Sequence, residues 1–218
     1  MLTNNSQFIT EFEKRLAEYT GAEEAVVVDS CSNALFLSMM MVKKLYKELP
    51  KEQEIPNGTY VSVPQAMIRA GYKPVIKDKI WGGFYQIGDL PIIDSAQFFQ
   101  RGMCNGQLKH SKIKFVCVSF HEKKILKIGK GGAILTNSAK VAGILRRMAF
   151  DGRDYRKGML DDDITMMGYH MNMTPADAAK GIMLLNLLPD RNENNGGWGS
   201  YKPLNELKYF KKYYEETK

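Results

Sequence analysis

The sequence predicts an α/β fold: three layers, α/β/α, around a mostly parallel central sheet. Three observations carry this. Short apolar runs alternate along the chain with stretches of helical period. The runs are apolar throughout instead of alternating with polar residues, which is the mark of strands buried on both faces. Polar residues then follow the ends of those runs, where ligands bind in such sheets.

The elements follow in order. "SQFITEFEKRLAEYTG" places Phe8, Phe12, Leu16 and Tyr19 at helical spacing, with Ser6 as a cap and Gly21 as a stop. "EAVVVDS" reads as a short buried strand and, after "CSNA", "ALFLSMMMVKKLYKEL" as a second helix. "YVSVPQAMIRAGYKPVIKD" reads as strand, short helix, strand, with Gly71 and Pro74 at the turn. "LPIIDSAQ" is a strand ending in Asp94, "KIKFVCVSF" a strand ending at Ser119, and "GGAILTN" a third in this region. "SAKVAGILRRMAF" is a helix capped by Ser138. "TPADAAKGIMLLNLL" is a helix with Thr174 as cap, Pro175 at its first position and Asp177 at the capping-box position. After Pro189 the composition shifts to a linker-like "DRNENNGGWGSYKP", and "LNELKYFKKYYEETK" reads as a short basic-aromatic helix. The expected division is a domain over 1–188 and a short C-terminal linker and helix over 189–218.

Composition bounds the function. The chain has 218 residues and is 44% hydrophobic, enough for a sizeable core. The net charge of +7 favours an anionic partner. The lysines are scattered, which argues against a nucleic-acid groove; only "KYFKKYY" and the net charge speak for one, and that class ranks last. Cys31, Cys104 and Cys117 are widely spaced and odd in number, so neither a disulfide framework nor a zinc site is expected, and no metal is assigned. "MLTNNSQFIT" lacks the pattern of a signal peptide, and no apolar run approaches membrane-spanning length. A reducing cytoplasm is the expected compartment.

"CVSFHEKKILKIGKGGAILTN", residues 117–137, sets Lys123 and Lys124 between two strand-like runs and follows them with Gly129, Gly131 and Gly132. A lysine pair on a surface loop is ordinary. A single lysine held at a strand end can be a nucleophile once partial burial frees its amine.

Five segments in order decide between these readings. "FEKRLAEYTGAEEAVVVDSCSNALFLSM", "TYVSVPQAMIRAGYKPVIKD", "IIDSAQ", "SFHEKKILKIGKGGAILTN" and "GYHMNMTPADAAKG" together resemble the DegT/StrS-type sugar aminotransferases, fold-type-I enzymes dependent on pyridoxal phosphate (PLP). The resemblance covers roughly residues 6 to 188. It implies the large domain of a PLP transferase, with the C-terminal small domain nearly absent.

The resemblance also implies residue roles. The family's S-F-x-x-x-K pattern counts from Ser119 to Lys124, not Lys123, as the lysine that forms the Schiff base with PLP. Asp94 is implied to pair with the ring nitrogen, Gln97 to contact the cofactor and Tyr60 to stack on its ring. "SCSNA" is implied to be the phosphate-binding turn, through Ser30, Cys31 and Ser32, with Ser119 a second hydroxyl there. Each has a plainer reading: Asp94 as a turn residue, Tyr60 as sheet packing, Ser32 as a helix cap. His170 stands where the family carries asparagine, in a segment that the resemblance implies reaches the neighbouring subunit's phosphate site in a homodimer. Further departures are Cys31 for a glycine, Lys130 for an acid, Asn172 for an arginine, and a missing strand-helix unit between Asp78 and Asp94. The expected activity is amino transfer from a small-molecule donor to a keto-sugar, with a nucleotide-linked sugar expected. The alternative is a degenerate PLP-fold binding or regulatory protein with little or no turnover.

Overall fold

The computed structural model describes residues 6–105 and 114–215. Helix α1 (Ser6–Thr20) stops at Gly21, whose φ of 76° is the left-handed turn that ends a helix. Strand β1 (Glu24–Val28) leads into α2 (Cys31–Leu45). Strand β2 (Glu52–Pro56), α3 (Ser62–Arg69) and β3 (Lys73–Lys77) follow. Then come β4 (Tyr85–Gln86), β5 (Ile92–Asp94), β6 (Phe115–Ser119), β7 (Gly132–Thr136), α4 (Ala139–Ala149) and α5 (Pro175–Leu185).

The layering is the expected one. In β1, Val26 and Val28 face one core and Ala25 and Val27 the other; in β6, Phe115 and Cys117 oppose Val116 and Val118. Period-two alternation of apolar residues therefore feeds two cores at once. α2, α3 and α4 cover the first face, and α1 and α5 the second. α2 is apolar nearly all round, with Leu35, Phe36, Leu37, Met39 and Met41 all buried, so it is a core helix and not a surface one.

Strand direction is more mixed than the sequence suggested. The main sheet runs β1-β7-β6-β5-β4, and β2 and β3 form a separate parallel pair. In the main sheet β1, β5 and β6 point one way and β7 and β4 run against them, so among its described strands the parallel neighbours are β5 and β6. The connection from β6 to β7 carries no helix, so the chain returns beside the strand it left and must pair antiparallel.

Local differences have physical causes. The strand expected at "YVSV" lies earlier, at β2; Tyr60 and Val61 belong to the turn that starts α3. The C-terminal stretch forms two 3-10 turns, Leu204–Glu206 and Lys211–Tyr213, in place of an α-helix. Leu204 and Phe210 are buried in the first core, and Tyr214 bridges to Ile76 on β3, so docking fixes this segment in a more extended form. The α4 and α5 caps are as read: Ser138 Oγ accepts from Val141 N–H and Thr174 Oγ1 from Asp177 N–H.

Candidate active site

The ends of β5 and β6 lie side by side, with Asp94 in register with Cys117. Asp94 is buried, 5% exposed. Its Oδ1 accepts from Ala96 N–H at 3.0 Å and its Oδ2 from the Tyr85 hydroxyl at 2.9 Å. Tyr85 spends its proton on the carboxylate, so Thr59, 2.6 Å away, is the donor to Tyr85. Burial pushes the Asp94 carboxyl up, against the Ala96 and Tyr85 bonds and the charge of Lys124, which hold it down.

Lys124 follows β6 in a tight turn, its N–H bonded to His121 carbonyl at 2.8 Å. Its neighbour Lys123 is exposed; Lys124 is not. Burial lowers the Lys124 amine below its ordinary value, and the nearby charge of Asp94 opposes this. Lys124 Nζ donates to the Tyr201 hydroxyl at 3.1 Å, and Gln97 Nε2 donates to the same hydroxyl at 2.6 Å. Tyr60 is half exposed, its ring centroid 5.6 Å from that of Tyr201. Burial and the charge of Asp94 push the Tyr201 phenol up to about 12.

The turn of residues 30–33 lies against the start of β7. Ser30 bridges to Gly131, and Ser119 pairs with Gly132. A Cβ on Gly132 would fall 2.5 Å from Cys31 N and 2.8 Å from Ser30 C. Glycine there is what lets the turn approach the sheet. Ser30, not Ser32, caps α2, accepting from Asn33 N–H at 3.3 Å and donating to Asp29 Oδ1. Ser32 is hydrogen-bonded to Ser62 at 2.6 Å. Cys31 is buried beside Asp94, which with desolvation holds its thiol well above the ordinary range. Its own backbone is not left-handed, so the turn keeps its shape without the family's glycine.

The predicted residues thus fall into two adjoining groups: Asp94, Gln97, Lys124 and Tyr60 around the Tyr201 hydroxyl, and Ser30, Cys31, Ser32 and Ser119 along the first turn of α2 and the β6–β7 edge. His170 stands apart, exposed and paired with Asp151 Oδ2 at 2.9 Å. Sequence reasoning missed Tyr85, Thr59 and Tyr201. The signal for Tyr201 was an aromatic pair, Trp198 and Tyr201, inside a glycine-rich stretch otherwise read as a linker. A cavity of about 480 Å³ between α1, β1 and α4, lined by Glu13, Arg146 and Tyr155, shares no residue with either group.

GDP-perosamine synthase of Caulobacter vibrioides is 22% identical over 92% of this chain and 63% of its own length. Spore coat polysaccharide biosynthesis protein SpsC of Bacillus subtilis is 25% identical over 84% and 57%. The chain therefore spans about three fifths of the curated relatives it matches. Among solved structures, the aminotransferase TlmJ of Streptoalloteichus hindustanus superposes with a TM-score of 0.63 at 22% identity, covering 84% of this chain and 58% of its own. Helicobacter pylori PseC, an aminotransferase involved in pseudoaminic acid biosynthesis, gives 0.60 at 17% identity, covering 82% and 57%. The family model covers residues 1–80 and 92–212 and leaves 81–91 unmatched. On that match, the chain belongs to the DegT/DnrJ/EryC1/StrS aminotransferase family.

Proposed function

We propose that this chain binds PLP at Lys124 and transfers an amino group from a small-molecule donor to a keto-sugar, with a nucleotide-linked sugar as the substrate class. The observation that carries this is a half-buried amine beside a buried carboxylate at the ends of β5 and β6, with a helix N-terminus next to them. The family implies PLP, and the residues fit it. Asp94 is a buried anion suited to a cationic ring nitrogen, and Gln97 Oε1 is buried with no hydrogen-bond partner. The glycine cradle at Gly132 brings the first turn of α2 against the same edge.

When bound, PLP supplies an electron sink for the carbon that carries the transferred amino group. The chain's own residues do the rest. Lys124 Nζ holds the group and then moves a proton to and from that carbon, a task that needs an amine with its basicity lowered by burial. Asp94 keeps the ring nitrogen charged, and the Thr59–Tyr85 chain fixes the carboxylate in place. The first-turn N–H groups of α2 and the hydroxyls of Ser32 and Ser119 would hold the phosphate, aided by the helix dipole, while Ser30 caps the helix with its proton on Asp29. α2 carries no acidic residue in its first turn; the Asp29 carboxylate, one residue before the cap, is held by Ser30 and Asn33.

A homodimer completes the reading, with the segment around His170 facing the partner's phosphate site. Met159, Leu160, Ile164 and Met167, all exposed in the loop before that segment, support an apolar contact surface. No helix among the described residues is long and apolar enough to cross a membrane. Three unpaired, buried cysteines support a reducing compartment.

Borohydride reduction of the PLP-loaded protein, followed by peptide mapping, tests the assignment. The label belongs on Lys124 and vanishes in Lys124→Ala but not in Lys123→Ala. A label on Lys123, or none, overturns it. Sedimentation of the loaded protein as a strict monomer overturns the dimer.

A further inference from the structure

Tyr201 has no task in the proposed function, yet it sits at the centre of the site. Its hydroxyl takes the bond from Lys124 Nζ at 3.1 Å and from Gln97 Nε2 at 2.6 Å. Its ring lies 5.6 Å from Tyr60, centroid to centroid, and within 5.8 Å of Lys124 Nζ. Gln97 itself is 4% exposed, and its Oε1 faces no partner. An aromatic ring bearing a hydroxyl, held between an amine, an amide and an aromatic face, has the chemical outline of a hydroxypyridine. PLP is one.

We infer that the Tyr201 phenol and the cofactor ring are alternative occupants of one place, so that Tyr201 covers Lys124 until the cofactor displaces it. This rests on the reading of Lys124 as the cofactor lysine. A covalent bond to Nζ puts a carbon well inside the distance at which the phenol oxygen now sits. The ring that carries this carbon needs the Gln97 donor and the Tyr60 face, both of which Tyr201 uses.

The backbone shows how the exchange proceeds. The segment is tied on both sides of Tyr201. Gly83 N–H bonds to Gly196 carbonyl and Trp198 N–H to Trp81 carbonyl, each at 2.9 Å, and Leu204 N–H bonds to Asn57 carbonyl at 2.9 Å. A Cβ on Gly197 would fall 2.5 Å from Trp81 carbonyl oxygen, so this part is pressed against its neighbour. Between the ties, Gly199 has a φ of 84° and open space around it. Ser200 N–H bonds to Gly197 carbonyl at 3.0 Å and Ser200 Oγ accepts from Gly197 N–H at 2.9 Å, so the strap stays anchored through Ser200 and the Tyr201 side chain swings out between Ser200 and Leu204.

The test uses the full chain as wild type, Tyr201→Phe and Tyr201→Ala. First, without cofactor, a small amine-reactive reagent labels the lysines and peptide mass spectrometry reads each rate. Lys124 should label about tenfold faster in Tyr201→Ala, the scale of one or two lost hydrogen bonds, with Lys123 unchanged as the internal control. Tyr201→Phe, which keeps the ring and loses both bonds, should fall between and decides the matter if the alanine variant does not fold. Second, PLP uptake is followed by absorbance and borohydride trapping. It should be faster and tighter in Tyr201→Ala. Equal Lys124 labelling in all three chains, or weaker PLP binding in Tyr201→Ala, overturns the inference; the latter makes Tyr201 a cofactor-holding group. Faster Lys124 labelling with no trapped PLP in any chain leaves Tyr201 as the cover of a buried amine and overturns the cofactor reading instead.

Discussion

Two glycine clusters border the candidate site, and they do different work. The first, "GKGG" at 129–132, opens β7. Gly129 and Gly131 have φ of 117° and 134°, and Gly132 faces the backbone of Ser30 and Cys31. Its neighbours are main-chain atoms of the turn that starts α2, which yield only if that turn moves. The second, "GGWG" at 196–199, lies on the strap that carries Tyr201. Its Gly199 has a comparable backbone but nothing within 4 Å. The same composition makes a fixed cradle in one place and a pivot in the other. What differs is what a side chain would meet, backbone at Gly132 and open space at Gly199, not the glycine itself.

The largest effect comes from Gly132→Ala. The new Cβ meets backbone at 2.5 Å, so the turn at residues 30–31 must move off the sheet. A loss of about 1–3 kcal/mol of stability is expected, the scale of an overpacked core, with PLP binding lost even at temperatures where the variant is folded. Denaturant unfolding and PLP titration check both; unchanged PLP binding breaks the cradle half of the comparison.

Next is Asp94→Asn. The proposed transamination falls by roughly 10²–10³-fold, as when a preorganised charge partner is removed. Stability moves the other way. The folded carboxyl sits above its unfolded value because it is buried, so ionised Asp94 weakens the fold increasingly as pH rises above the ordinary carboxylate range. Asp94→Asn should therefore melt higher than wild type at neutral pH without PLP. The gain should vanish in acid, where the carboxyl is protonated in both states. The same change removes the charge that holds the Lys124 amine up, so Lys124 should react with amine reagents at lower pH than in wild type. A lower melting point at neutral pH makes Asp94 a structural residue.

The smallest effect belongs to Gly199→Ala. No atom obstructs the Cβ, and only the left-handed φ of 84° is penalised, by about 1 kcal/mol. The expected result is a small drop in melting temperature and slower release of Tyr201, read as slower Lys124 labelling. A loss as large as that of Gly132→Ala would mean that the strap is as rigid as the cradle.

Much was legible in the sequence, because the signals are local. The runs in β1, β5, β6 and β7 are apolar on both faces, and the caps at Ser138 and Thr174 announce themselves through residues three positions apart. Lys124 was separable from Lys123 only through the family pattern that counts from Ser119, and the structure leaves Lys123 exposed and Lys124 half-buried. Strand β2 was not legible: "EQEIP" is charged on alternate residues and short, so its pattern is weak until β3 pairs with it.

The sequence by itself determined the layers, the strand ends and the order of Ser30, Asp94, Ser119 and Lys124 along the chain, since burial period and capping act over a few residues. Only the tertiary structure decided what surrounds Lys124. Tyr85 and Thr59 reach Asp94 from separate segments, and Tyr201 reaches Lys124 from 77 residues away. A glycine-rich stretch has no burial period of its own, so its path is set by the backbone groups of residues 57, 81 and 83 to which it bonds. Those partners exist only once the sheet has formed.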